Sequence, residues 1–191
     1  MSDTGPLSAE QKEQIVAAST ALHALLRPTR VARANAWTIA IFGVLTILWG
    51  LVAGGGLVVG AALLAVAWNE LRGVRRLRTL DPEGARILGW NQVILAAVVG
   101  GYCAAAIMNA AAAPDPSMAE LEELAGFSAD LVAEITMVVY GGVAVLVAIV
   151  QALLARWHLR AGSRLAEFVA ETPPWIVEVL RASTAPPTRS A

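Results

Sequence analysis

One cysteine, two histidines and a single lysine are all that this chain of 191 residues holds of those types. A lone cysteine excludes a disulfide-stapled secreted scaffold. Two histidines, with no HExxH, GxSxG or paired Cys/His spacing, exclude the familiar metal and hydrolase patterns. Charge is thin as well. Charged residues make up 15% of the chain and the net charge is −1, where soluble domains carry about 25%. That leaves no basic surface for a nucleic acid, and none is expected as a partner. Apolar residues, at 57%, are too abundant for a disordered chain.

The charges are missing in blocks. No Asp, Glu, Lys or Arg occurs over 34–69, 87–114 or 135–155, tracts of 36, 28 and 21 residues. A surface helix of a soluble bundle needs a polar stripe, and these tracts have none. A bilayer core of about 30 Å takes about 20 apolar helical residues. The third tract is therefore one span, 135–155. The second begins at a polar edge, Trp90-Asn91-Gln92, and reads as one span over 90–110. The first, about 54 Å as a straight helix, is too long for one crossing, and Gly54-Gly55-Gly56 near its middle favours a turn. It reads as two spans, 35–53 and 56–71. The second of these is so short that Glu70 and Arg72 are expected to reach up from the interface. An alternative makes this first pair a re-entrant hairpin that turns inside the membrane.

The expected fold class is an all-α integral membrane protein: four transmembrane helices in two hairpins, with amphipathic helical extensions on the cytoplasmic side. Around the membrane domain, 35–155, lie an N-terminal helix (1–34), a helical extension (156–181) and a disordered tail (182–191). Within it run a cytoplasmic connection (72–89) and an acidic outer loop (111–134). All 14 basic residues fall before the first span, between spans two and three, or after span four. The outer loop has none but carries Asp115, Glu120, Glu122, Glu123, Asp130 and Glu134. Positive charge stays inside, so both termini are expected in the cytoplasm. Trp37, Trp68, Trp90 and Trp157 fall at the same ends of the spans, where indoles settle. No small-residue cleavage site follows a basic leader, so the first span is expected to be an uncleaved anchor. Thirteen of the basic residues are arginine, a bias typical of GC-rich bacterial genomes, and the expected address is a bacterial plasma membrane.

Several surfaces carry expectations of their own. Ser8 to Gln11 is a capping-box pattern, opening a helix whose apolar stripe includes Ile15, Leu22 and Leu25. The extension of span four presents Leu159, Leu165 and Phe168, and these two sets are expected to dock on each other. Arg72, Arg75, Arg76 and Arg78 lie near the membrane surface, each able to attract an anionic lipid by about 1 kcal/mol. Asp81 reads as an N-cap with Pro82 at the first helical position. Thr172 and Pro173 read as the start of a short helix with Trp175, Ile176, Val179 and Leu180 on one side. In the outer loop Ser117 opens a second capping box and Ser128 caps span four. The acids there lack the spacing of a calcium loop.

Chemistry is sparse. The spans read as free of ionisable residues, the usual mark of catalysis or transport in a membrane. Cys103 is alone in span three. Asn109 and Gln151 are amides that need partners in hydrocarbon and are the expected interhelical hydrogen-bonding or path-lining groups. Gly50/Gly54, Gly56/Gly60, Gly101/Ala105 and Gly141-Gly142 allow close helix approach. Asp81-Pro82-Glu83-Gly84-Ala85-Arg86 resembles part of the aspartate-rich motif of the CDP-alcohol phosphotransferases. That family's further aspartates, a helical turn apart downstream, are replaced here by Trp90, Asn91, Gln92 and apolar residues. No metal site follows from it, and no cofactor is expected. The functional expectation is a non-enzymatic small polytopic protein, a scaffold or accessory subunit of a membrane complex. Its expected partners are membrane lipids and another protein or a second copy of itself. A small oligomeric pore or carrier is the alternative, and a lipid-headgroup enzyme a more distant one.

Overall fold

The computed structural model describes residues 7–53, 56–112 and 129–184. The Ser117 capping box, Ser128, the acids from Asp115 to Glu123 and most of the expected tail lie outside the described residues, as do Gly54 and Gly55. Among the described residues the chain is all-helical, with 94% in helices and no strand. The elements are α1 (Ala9–Leu25), α2 (Arg27–Ala53), α3 (Leu57–Arg78), α4 (Glu83–Ala112), α5 (Ala129–Glu171) and α6 (Pro174–Thr184). Four helices, α2 with α1 leading into it, α3, α4 and α5, are long and apolar enough to cross a membrane.

Local chemistry fixes the ends. The Ser8 hydroxyl accepts from the Gln11 backbone N–H at 3.2 Å, and the Gln11 side chain accepts from the Ser8 N–H at 2.9 Å. Leu26 alone separates α1 from α2, and Pro28 sits in the first turn of α2, where a missing N–H costs nothing. The helix of the first apolar tract thus begins at Arg27 rather than near residue 35. Gly56 caps α3 at φ +87°, a left-handed conformation that only glycine adopts freely.

Between α3 and α4, Asp81 N–H donates to the Arg76 carbonyl and Leu80 N–H to that of Leu77, both at 3.1 Å. This is a Schellman ending with leucine, at φ +58°, where glycine is usual. Leucine pays about 1–2 kcal/mol for that conformation, and Leu80 offsets it by being wholly buried. The Asp81 carboxylate then accepts from Glu83 N–H at 3.0 Å, opening α4. At α6 the cap falls one residue later than the sequence suggests, on Pro173, whose carbonyl accepts from Ile176 and Val177. The helix runs to Thr184, so 182–184 are helical rather than part of a tail. Its buried side is Ile176, Val177 and Leu180, with Val179 exposed.

The extensive contacts run in chain order, α2 on α3, α3 on α4 and α4 on α5. At one end, called here the closed end, all six helices meet in a single apolar core. Leu22, Ala32, Val74, Leu88, Leu165 and Leu180 contribute one residue from each helix. A smaller layer of Ile39, Val66, Ala67 and Leu95 continues it along α2, α3 and α4. Beyond that layer the helices lean on one another with little shared core. α5 holds 43 residues, about 65 Å at 1.5 Å per residue, roughly twice a bilayer core. Its last stretch, from Arg156 on, therefore lies past the apolar tract, while none of its most apolar window is buried.

Candidate functional site

The buried stripe of α3 is Val66, Ala67, Glu70, Gly73, Val74 and Leu77. This spacing of one, three, three, one and three is the core face of a helix. Glu70 occupies its centre. It is 0% exposed and does not reach to an interface, as the short second span suggested. Register explains the difference: a side chain four residues from both Val66 and Val74 shares their face and points between helices.

Two neighbouring helices supply its partners. From α2, Asn35 Nδ2 donates to Glu70 Oε1 at 3.3 Å. From α4, Gln92 Nε2 donates to Oε1 at 3.0 Å and to Oε2 at 3.2 Å, and Asn91 Nδ2 donates to Oε2. Asn91 is held at both ends of its amide. Its Nδ2 also donates to the Val66 carbonyl at 3.0 Å, and its Oδ1 accepts from Asn69 Nδ2 at 3.1 Å. Four N–H contacts occupy the roughly four lone-pair positions of a carboxylate, and bonds to an ionised acceptor are the stronger kind. Every one of these partners is a neutral amide. One atom is left over: Gln92 Oε1 is buried without a hydrogen-bond partner.

The sequence does show these residues, Asn35 and Asn69-Glu70 and Asn91-Gln92, each at the edge of an uncharged tract. The missing signal was depth. Three polar edges that all fall at one end of their helices meet once α2, α3 and α4 pack. The amides singled out as costly lie elsewhere. Asn109 is exposed on α4, and Gln151 is half-buried with its side-chain oxygen buried and unpartnered.

The other expected site residues divide. Leu22 and Leu165 share the closed-end core and Phe168 packs against it. Ile15 is half-buried, and Leu25 lines a recess with Trp157, Ala161 and Arg164. Leu159 turns instead to α4, where its side chain covers Gly89. Among the four arginines, Arg72 and Arg75 share a recess with Trp68, and the Arg75 guanidinium lies 5.7 Å from the indole centroid. Arg76 turns to Asp81 at 3.7 Å, and Arg78 is exposed.

Two further features belong to the description. A side groove of about 840 Å³ between α2, α3 and α4 is lined by Phe42, Trp49, Leu63, Leu95, Val99 and Tyr102. Among the described residues its lining is apolar apart from the Thr38, Thr46 and Tyr102 hydroxyls, so it suits hydrocarbon. His158, past the apolar tract on α5, is 2% exposed with Nδ1 unpartnered, and burial pushes its imidazole down to about 4. Among the described residues no cluster of His, Cys, Asp and Glu could hold a metal ion. No known protein family, curated protein or solved structure matches the chain.

The His158 environment carries a prediction. The folded protein binds this proton less readily than the unfolded chain, so stability falls as pH drops below about 6.5. The loss is complete near the folded value of about 4. Thermal melts of the wild type from pH 8 down to pH 4.5 are expected to fall more steeply than those of His158→Leu. Parallel curves would show that the imidazole contributes nothing.

Proposed function

We propose that this protein is a non-enzymatic, multi-pass membrane scaffold or accessory subunit, with both termini on the cytoplasmic side of a bacterial plasma membrane. The observation that carries the reading is the closed end. All six helices are tied there into one core, and a buried carboxylate–amide cluster fastens α2, α3 and α4 beside it. A scaffold needs surfaces held in fixed relation, and packing of this kind supplies them. The distribution of arginine supports placing that end in the cytoplasm. Arg72 and Arg75 beside Trp68 suit a lipid-facing position at the same level.

A second reading, a small carrier, is favoured by Glu70, since an ionisable side chain among membrane helices is more often part of an ion pathway than of a fastening. One preparation tests both. Purification in mild detergent followed by native mass spectrometry is expected to show a bound protein partner or a homo-oligomer. Monomer alone after mild solubilisation overturns the scaffold reading. Ion flux into proteoliposomes above that of empty vesicles promotes the carrier.

A further inference from the structure

We propose that the recess between the α1–α2 junction and α5 is a binding site for a phosphate monoester, with Arg27 and Arg164 as its two cationic arms. It goes beyond the scaffold reading and stands without it, because a carrier in the same membrane would hold the site equally well.

Three pieces of chain build the recess. Leu25 closes α1, Arg27 and Pro28 open α2, and Trp157, Ala161 and Arg164 line it from α5. The α5 residues are spaced four and three, so they share one helix face. The recess measures about 390 Å³, within the range of small-ligand pockets. Pro28 is buried, and Leu25 and Ala161 are half-buried, which gives it fixed apolar walls. Both arginines are exposed and accessible to a ligand.

Charge decides the ligand. Arg76 is matched by Asp81 and Arg86 by Glu83. No acid lines this recess, and among the described residues neither Arg27 nor Arg164 is paired with a carboxylate. Two like charges at one cavity repel, and an anion between them turns that cost into attraction. Each planar guanidinium offers a fork of N–H donors that matches two phosphate oxygens. A phosphate monoester carries about −1.5 to −2 near neutral pH, which answers both arginines. A diester carries a single charge and leaves one of them unanswered.

Depth points to what carries the phosphate. Trp157 stands two residues past the uncharged tract that ends at 155, where indoles meet headgroups. Arg164 is seven residues further on, about 10 Å along the helix, and its stem lets the guanidinium reach back toward the membrane. A phosphate on a lipid headgroup therefore enters from the bilayer side, past the indole. A free phosphate enters from water, and the chemistry at the arginines is the same.

The test uses the full chain in neutral-detergent micelles, titrated calorimetrically with four probes. These are dioctanoyl phosphatidic acid, phosphatidylglycerol and phosphatidylcholine with the same chains, and inorganic phosphate. Phosphatidic acid is expected to bind about tenfold tighter than phosphatidylglycerol, with phosphatidylcholine weaker still. Arg27→Gln and Arg164→Gln are each expected to raise its Kd about tenfold or more. Arg164→Lys should recover only part of that loss, since an ammonium lacks the fork. Arg181→Gln removes the same charge from an exposed position on α6 and is expected to leave Kd within about twofold. Inorganic phosphate binding as tightly as phosphatidic acid, with the same losses in both arginine variants, keeps the site and makes free phosphate its ligand. Absent binding, or equal affinity for phosphatidic acid and phosphatidylglycerol, overturns the proposal. So does a preference for phosphatidic acid that survives the paired Arg27→Gln and Arg164→Gln substitutions, or that Arg181→Gln weakens as much.

Discussion

Glu70→Ala is expected to lower the unfolding midpoint by about 6–20 °C, one of the two largest losses expected from any single substitution in this chain. Two effects oppose each other. Removing a buried carboxylate relieves its desolvation, which favours the variant. It also strands the amide N–H groups of Asn35, Asn91 and Gln92, which are bonded to that carboxylate. Each buried group left unpaired costs about 1–3 kcal/mol, so three stranded amides outweigh the relieved desolvation by about 3–5 kcal/mol. The stranded amides therefore win. At about 2–4 °C per kcal/mol for a chain of this size, the range above follows. Glu70→Gln keeps the shape and one acceptor, so its loss is expected to be clearly smaller. A double variant with Gln92→Ala should lose less than the sum of the two singles, because the same bonds are counted in both. An alanine variant melting within about 2 °C of wild type would remove the cluster from any account of stability.

The second large effect is set by glycines. A Cβ at Gly84 would stand 2.6 Å from the Gly73 carbonyl oxygen and 2.6 Å from the Leu77 nitrogen, both backbone atoms of α3. At Gly60 it would meet the Ile47 side chain at 2.5 Å and the Gly43 carbonyl oxygen at 2.8 Å. Backbone cannot yield as a side-chain tip can, so the helices must move apart. Overpacking of this kind costs about 1–3 kcal/mol for small insertions, and valine should exceed that. Gly84→Val has a further consequence, since it widens α3 from α4 only two turns from the Glu70 bonds. By contrast a Cβ at Gly101 or Gly142 has no atom within 4 Å to meet. Alanine there is expected to be neutral or to gain up to about 1 kcal/mol from helix propensity. Melting the four variants side by side checks this. Equal losses at Gly84 and Gly142 would mean that an unseen neighbour packs against α5.

That contrast separates two kinds of glycine that look alike in the sequence. Gly60 and Gly101 both sit in small-xxx-small spacing, yet Gly60 lets α2 and α3 touch and Gly101 faces open space. Spacing reports that a helix can be approached. It does not report whether anything approaches it. The same holds for the amides: Asn109 and Asn91 are equally costly groups in hydrocarbon, but only Asn91 lies at the depth where a partner helix brings acceptors to it.

Helix content, the four apolar helices and most of their ends were legible because they depend on neighbours along the chain. Uncharged runs of 36, 28 and 21 residues, the capping pair Ser8 and Gln11, and Asp81 before Pro82 act over a few residues each. The tertiary structure decided what depends on distance in space. It brought Asn35, Glu70 and Gln92 together from three helices, turned Leu159 onto Gly89, and buried Leu80 deeply enough to hold a left-handed turn. It also left α5 with no fully buried residue along its most apolar stretch while tying all six helices into one core at the closed end. Local patterns fix which face of a helix is apolar, because that follows from a period of 3.6 residues. Which helix meets that face, and at what depth, follows only from packing the whole chain at once, and there the polar edges of three separate tracts became one buried site.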